Sequence, residues 1–178
     1  MDDERIATAM SRYRLARSMS GGLRSLHEED DDAHDRTVAL FVDGPNVLRD
    51  DFDVDLDDVR TAGRQLGQLA TTRLYLDEHA TPGLIQAAEA RGFEVVITSG
   101  DVDVKLAIDA TELALDERVD VLAIASRDTD FKPVLEKAAR NGVRTVAIAP
   151  GEYGRSDALQ NAAHEAFVIE DEEANATE

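Results

Sequence analysis

Thr37-Val38-Ala39-Leu40-Phe41-Val42, followed at once by Asp43-Gly44-Pro45-Asn46, decides the fold. Six apolar or β-branched residues in a row make a strand with no polar face, and the next four are turn formers. A strand apolar on both sides must be covered on both sides, which is the habit of a parallel sheet between helices. Working outward, the pattern recurs. Strands are expected at 72–76, 93–98, 119–126 and 143–149, with a possible sixth at 166–170. Helices are expected between them, at 56–69, 82–91, 104–115, 130–140 and near 157–164. Asp55, Asp57 and Asp58 crowd the start of the first helix, Thr81-Pro82 opens the second, and Gly92 and Asn141-Gly142 stop two of them. The fold class is therefore α/β, a three-layer α/β/α doubly wound structure with a mostly parallel sheet. In such sheets ligands bind beyond the carboxyl ends of the strands, where the strand order reverses.

The composition narrows the function classes. The chain has 178 residues, a formal net charge of −19 and 43% apolar residues, so it is acidic yet apolar enough for a core. No apolar run approaches the ~20 residues of a membrane-spanning helix. The start MDDERIATAM carries no apolar leader, so a cytoplasmic location is expected. With no cysteine, disulfides, thiolate metal sites and cysteine nucleophiles are excluded. Only three lysines (Lys105, Lys132, Lys137) stand against sixteen arginines, and 23 aspartates against 15 glutamates. Molar salt shortens the Debye length to ~3 Å and screens such a surface, so a halophilic, haloarchaeal origin is expected over an acidic mesophile.

The charge is unevenly spread. Residues 5–24 hold Arg5, Arg12, Arg14, Arg17 and Arg24 with no acid. Ile6, Met10 and Tyr13 recur there at helical spacing, so a short amphipathic helix is expected, either a solvated tail or an arm that touches nucleic acid or a partner. The organisation that follows is a basic arm and acidic linker over 1–36, a folded domain over 37–170, and an acidic tail over 171–178.

Aspartates gather at strand ends: Asp43 after the first, Asp101 and Asp103 after the third, Asp128 and Asp130 after the fourth. Each taken alone is as well explained as a turn former or helix cap. Together, converging carboxylates repel unless a cation neutralises them, and oxygen-only ligands suit Mg²⁺ or Mn²⁺. Asp109, six residues after Asp103, lies about 240° round a helix from it, and its simplest partner is Lys105 in an ordinary surface ion pair. Ser126 has no evident base partner, and the four histidines show no metal-ligand spacing.

Three stretches carry a resemblance. Phe41-Val42-Asp43-Gly44-Pro45-Asn46-Val47 resembles the first motif of the NYN nucleases, a PIN-like group that includes the LabA-type proteins. Gly100-Asp101-Val102-Asp103 and its following helix through Asp109 resemble the second. Ser126-Arg127-Asp128-Thr129-Asp130-Phe131 is similar to the third, usually Ser-Gly-Asp-x-Asp-Phe. The resemblance implies a PIN-like fold and a Mg²⁺- or Mn²⁺-dependent endoribonuclease leaving a 5′-phosphate and a 3′-hydroxyl. It implies metal binding by Asp43, Asp103, Asp128 and Asp130, with Asp109 as a fifth acid and Asn46 in support. Arg127 departs from the family's glycine; its side chain either contacts the substrate phosphate or obstructs the site.

An RNA substrate is thus expected, held by metal, the N-terminal arginines and residues such as Arg127, Lys132 and Arg155, with no membrane association and a possible homo-oligomer. The competing reading is a catalytically silent PIN-like regulator that binds RNA or protein. A phosphohydrolase with an aspartyl-phosphate intermediate is disfavoured, because the first strand ends without Asp-x-Asp. If the surface is salt-adapted, the melting temperature will climb with KCl into the molar range; a maximum in dilute buffer would refute that reading.

Overall fold

The computed structural model describes residues 13–16, 35–48, 54–116, 119–151 and 157–169. Its elements run β1 (Tyr13–Ala16), β2 (Thr37–Asp43), α1 (Gly44–Val47), α2 (Leu56–Arg64), β3 (Gln68–Asp77), α3 (Pro82–Ala90) and β4 (Glu94–Thr98). They continue as α4 (Val102–Leu115), β5 (Val121–Ala125), a 3₁₀ turn (Thr129–Phe131), α5 (Lys132–Arg140), β6 (Arg144–Pro150), α6 (Asp157–Ala162) and β7 (Glu165–Ile169).

The seven strands form one sheet in the order β1-β7-β6-β5-β2-β3-β4. β2 to β7 are parallel to their neighbours, and β1 adds antiparallel to the edge of β7. The chain leaves β2 in one direction through β3 and β4, then returns to the other side of β2 with β5, β6 and β7. The order therefore reverses between β2 and β5, the two most deeply placed strands.

Burial follows from the alternation along β2. Val38, Leu40 and Val42 face one layer, with Val47 of α1, Leu56, Val59 and Ala62 of α2, and Ala88 of α3. Ala39 and Phe41 face the other, with Leu106, Ala110 and Ala114 of α4, Leu135 and Ala138 of α5, and Leu159 of α6. The result is the three-layer arrangement expected from the uninterrupted apolar strands.

Two expectations need correction. The helix expected over 56–69 stops at Arg64, and the strand expected at 72–76 begins at Gln68. Gly67, at φ 149°, turns the chain where an L side chain is disfavoured, and Leu69 reaches the same core from the strand that it would have reached from a helix. In the basic N-terminal stretch, residues 13–16 form β1 instead of a helical turn. Its carbonyls and amides complete the open edge of β7, a gain that three residues at helical spacing do not outweigh. The rest of that stretch, and the acidic tail, lie outside the described residues.

Gly44 shows how tightly the end of β2 is built. A Cβ there would stand 2.4 Å from Leu76 Cδ2 and 2.6 Å from the Tyr75 carbonyl oxygen. The backbone after Asp43 thus passes against β3 with no room for a side chain. Gly44→Ala should lower stability by ~1–3 kcal/mol, the usual cost of overpacking, read as a lower denaturation midpoint; an unchanged midpoint would show that β3 yields freely.

Candidate metal centre

The β2/β5 reversal is where a doubly wound sheet places its ligand crevice, and the aspartates lie at the carboxyl ends of the strands there. Asp43 ends β2 and is completely buried. It caps α1: its Oδ1 accepts from the backbone amide of Asn46 (3.4 Å), and its Oδ2 accepts from Asn46 Nδ2 (2.5 Å). Ser126, directly after β5, donates its hydroxyl to the same Oδ2 at 2.7 Å. The Ser126 oxygen in turn accepts the amide of Asp128 at 3.0 Å. A hydrogen-bond chain thus ties the two central strand ends together. Burial pushes the Asp43 carboxyl above its ordinary value, the bonds from Asn46 and Ser126 pull it back, and the charge of Asp128 adds to the rise.

The other two strand ends are built as caps. Asp101 caps α4, accepting the amides of Asp103 (2.9 Å) and Val104 (3.4 Å) through Oδ1. Asp128 caps the 3₁₀ turn, accepting the amide of Asp130 at 2.9 Å. The helix-cap explanation thus holds for Asp101 in the second motif and for Asp128, not Asp130, in the third. Each cap also fixes the carboxylate two residues on, placing Asp103 in the first turn of α4 and Asp130 in the 3₁₀ turn.

Asp103 registers their convergence. Its carboxyl is raised to about 6, by burial first and then by the charges of Asp43, Asp128, Asp101 and Asp130. Residues from three strand ends, up to 87 positions apart in sequence, therefore share one field. Among the described residues no three acidic or histidine side chains already share a coordination sphere. The set is a rigid buried Asp43 surrounded by half-exposed or exposed acids on helix ends.

Asp109 is differently engaged. It is buried on α4, its Oδ1 accepting from Lys105 Nζ at 2.7 Å and its Oδ2 from the Tyr75 hydroxyl at 3.0 Å. Lys105 is thus the partner anticipated from spacing, although Asp109 is buried where an ordinary surface pair was expected. Arg73 Nη1 stands 3.9 Å from Asp109 Oδ2, and the Arg73 guanidinium carbon lies 5.6 Å from the centre of the Phe41 ring. Burial and the Asp109 charge push the Tyr75 hydroxyl far above its ordinary value, so it stays protonated as the donor.

Sequence reading missed Tyr75 and undervalued Ser126. The clue to Tyr75 was a lone phenol inside an apolar strand, where its hydroxyl needs a partner. The clue to Ser126 was its place at the head of the third motif. Arg127, the residue at odds with the family pattern, donates from Nε to Asn46 Oδ1 at 3.4 Å, which puts its side chain at the rim beside Asp43's own partner.

The sequence profile of the NYN domain matches residues 37–170. The chain belongs to the NYN family. An uncharacterized protein of Methanocaldococcus jannaschii is 42% identical over 135 residues, covering 76% of this chain. This chain spans 56% of that archaeal relative's length. A Vibrio parahaemolyticus protein of unknown function has a crystal structure similar to this NYN fold, with a TM-score of 0.65 at 23% identity over 84% of this chain and 98% of that one. The NYN domain places the protein in a PIN-like nuclease family, and no described helix is long and apolar enough to cross a membrane.

The raised carboxyl of Asp103 sets a pH dependence. Folding favours its neutral form, so its contribution to stability is present below the ordinary value of 3.8 and is lost as pH rises through about 6. Without divalent ions, Asp103→Asn should therefore be more stable than the parent at pH 7 to 8, with the difference closing by about pH 4. Melting curves across that range test it; equal pH profiles for the two proteins would count against a shared acidic field.

Proposed function

We propose that this NYN domain is a Mg²⁺- or Mn²⁺-dependent endoribonuclease that hydrolyses RNA phosphodiester bonds. The observation that carries the reading is the setting of Asp103: its burial, and then the charges of acids from three strand ends, make its ionisation costly, which a bound cation relieves. The donor chemistry fits a hard cation, since every candidate ligand is a carboxylate oxygen. Asp43, Asp103 and Asp128 would hold it, with Asp130 as a further ligand or as the group that orients water. Asp109 takes part more remotely, through Lys105 and Tyr75.

The roles follow from the site's construction. Asn46 and Ser126 lock the orientation of the Asp43 carboxylate, so the central ligand costs no reorganisation. Asp103 and Asp130 stand in the first turns of the helical segments that follow their strands. A bound divalent ion would supply charge neutralisation and a water acidic enough to attack phosphorus. Hydrolysis would form a P–O bond to water and break the bond to the 3′ oxygen, which takes up the proton that the water releases, leaving a 5′-phosphate and a 3′-hydroxyl. Arg127 at the rim is suited to a non-bridging phosphate oxygen. The acidic surface offers RNA little general attraction, so binding rests on the cation, Arg127 and the arginines of residues 5–24. A cytoplasmic, salt-rich setting suits both the absence of cysteine and the charge.

The contact of Arg127 with Asn46 favours a second reading, a PIN-like regulator that binds RNA or protein while the arginine blocks the metal site. Incubating the purified protein with pooled RNA in molar KCl, with and without Mn²⁺, separates the two. Cleavage that requires Mn²⁺ and drops by at least ~100-fold in Asp43→Asn, with the fold retained, supports the nuclease. RNA binding that is indifferent to divalent ions, with no cleavage, supports the regulator.

A further inference from the structure

Helix α4 carries an apolar seam on the side facing away from the sheet. Its inner side is Val102, Leu106, Asp109, Ala110 and Ala114, all buried. Val104, Ile108 and Leu115 are 56%, 51% and 48% exposed, and they account for three of the four exposed large apolar side chains among the described residues. With Thr111 between them they step along the helix at intervals of four, three and four residues. At 100° per residue these four positions fall within about 60° of one another, opposite the buried side. Such spacing is that of a helix which pairs with another helix. An isolated apolar residue on a surface needs no explanation, but a seam on a chain of net charge −19 does.

We propose that this seam is a self-association surface on which two copies of the chain pair their α4 helices antiparallel about a two-fold axis. The four-three-four spacing reads the same in both directions, so a two-fold axis between Ile108 and Thr111 sets Val104 against Leu115 of the second copy and Ile108 against its Thr111. The charges beside the seam agree with that register. Lys105 and Glu112, both exposed, lie seven residues apart on one flank, and antiparallel pairing brings each Lys105 to the Glu112 of the other copy, twice over. Lys105 has three N–H donors and uses one on Asp109, so it can serve both acids. A parallel arrangement would instead leave each Lys105 on the opposite flank of the seam from the Glu112 of the other copy. On the other flank Ala107 is small, allowing close approach.

The register has a consequence for the acidic sites. Asp101 and Asp103 stand at the amino end of α4, so antiparallel pairing puts the two acidic clusters at opposite ends of a helix pair about 21 Å long. The remaining net charge of each copy opposes association, and salt screens that repulsion. The pair therefore forms at high salt and dissociates in dilute buffer.

Sedimentation of the full-length protein across KCl concentrations tests the proposal, with circular dichroism to verify folding. The expected result is a mass near twice that of one chain in molar KCl, falling to one chain as salt is removed. Ile108→Glu should sediment as one chain in the same molar KCl. Ile97→Glu, which alters the exposed apolar residue outside the seam, should stay dimeric. Glu112→Lys should weaken the pair several-fold at the lowest salt that sustains it. A wild-type protein that is one chain at every salt concentration overturns the proposal, as does a folded Ile108→Glu variant that remains dimeric. An unweakened Glu112→Lys dimer overturns the antiparallel register.

Discussion

A carboxylate with no solvent contact at the end of a central strand is an expensive thing to fold around, and most of this site is arranged about that cost. Asp43 has to keep a negative charge, or a readily released proton, where burial disfavours it. Three bonds are spent on it: the amide and side chain of Asn46 and the hydroxyl of Ser126. Because Asn46 lies three residues on and Ser126 lies 83 residues on, the same interaction seals a local turn and joins the two central strands. Gly44 then has to be a glycine so that the turn can pass beneath the β3 backbone. Remove the charge from Asp43 and the reason for each of these neighbours goes with it.

The acids around Asp43 are placed by a repeated economy. Asp101 and Asp128 each cap a helical segment through the amide two residues along. Cap and candidate ligand are therefore covalently coupled, and the chain needs only a short Asp-x-Asp segment to do both. In the second and third motifs the structural and functional explanations of an aspartate are not rivals: one residue caps and its neighbour faces the shared field, or, for Asp128, the same residue does both.

Asp109 marks the difference between an acid that is near and an acid that is available. It is clamped by Tyr75 and Lys105 under the packing of Phe41 and Arg73, so its negative charge is balanced locally. Asp103, six residues earlier on the same helix, is half-buried at the crevice, and its carboxyl is raised by that burial and then by the charges of the other acids. The same helix thus presents a neutralised acid to the core, a frustrated one to the crevice, and an apolar seam to the outside.

Much of this was legible in the amino-acid sequence. Uninterrupted apolar strands such as 37–42 require two helical layers, and strand-end aspartates together with three motifs identify the crevice and the family. Local rules failed where a tertiary alternative satisfied the same residues: Leu69 reaches the core from a strand as well as from a helix, and residues 13–16 answer to an open sheet edge over their helical spacing. The partners of Asp43 and Asp109 were not legible either. Ser126 and Tyr75 lie 83 residues from Asp43 and 34 from Asp109, and nothing in a linear pattern records which strand lies beside which. The sequence by itself determined which strands would be buried on both faces and which end of the sheet would be acidic, because apolar periodicity and turn chemistry are local. Only the tertiary structure decided which acids share a field and which are neutralised, because electrostatic interaction depends on distances set by the strand order.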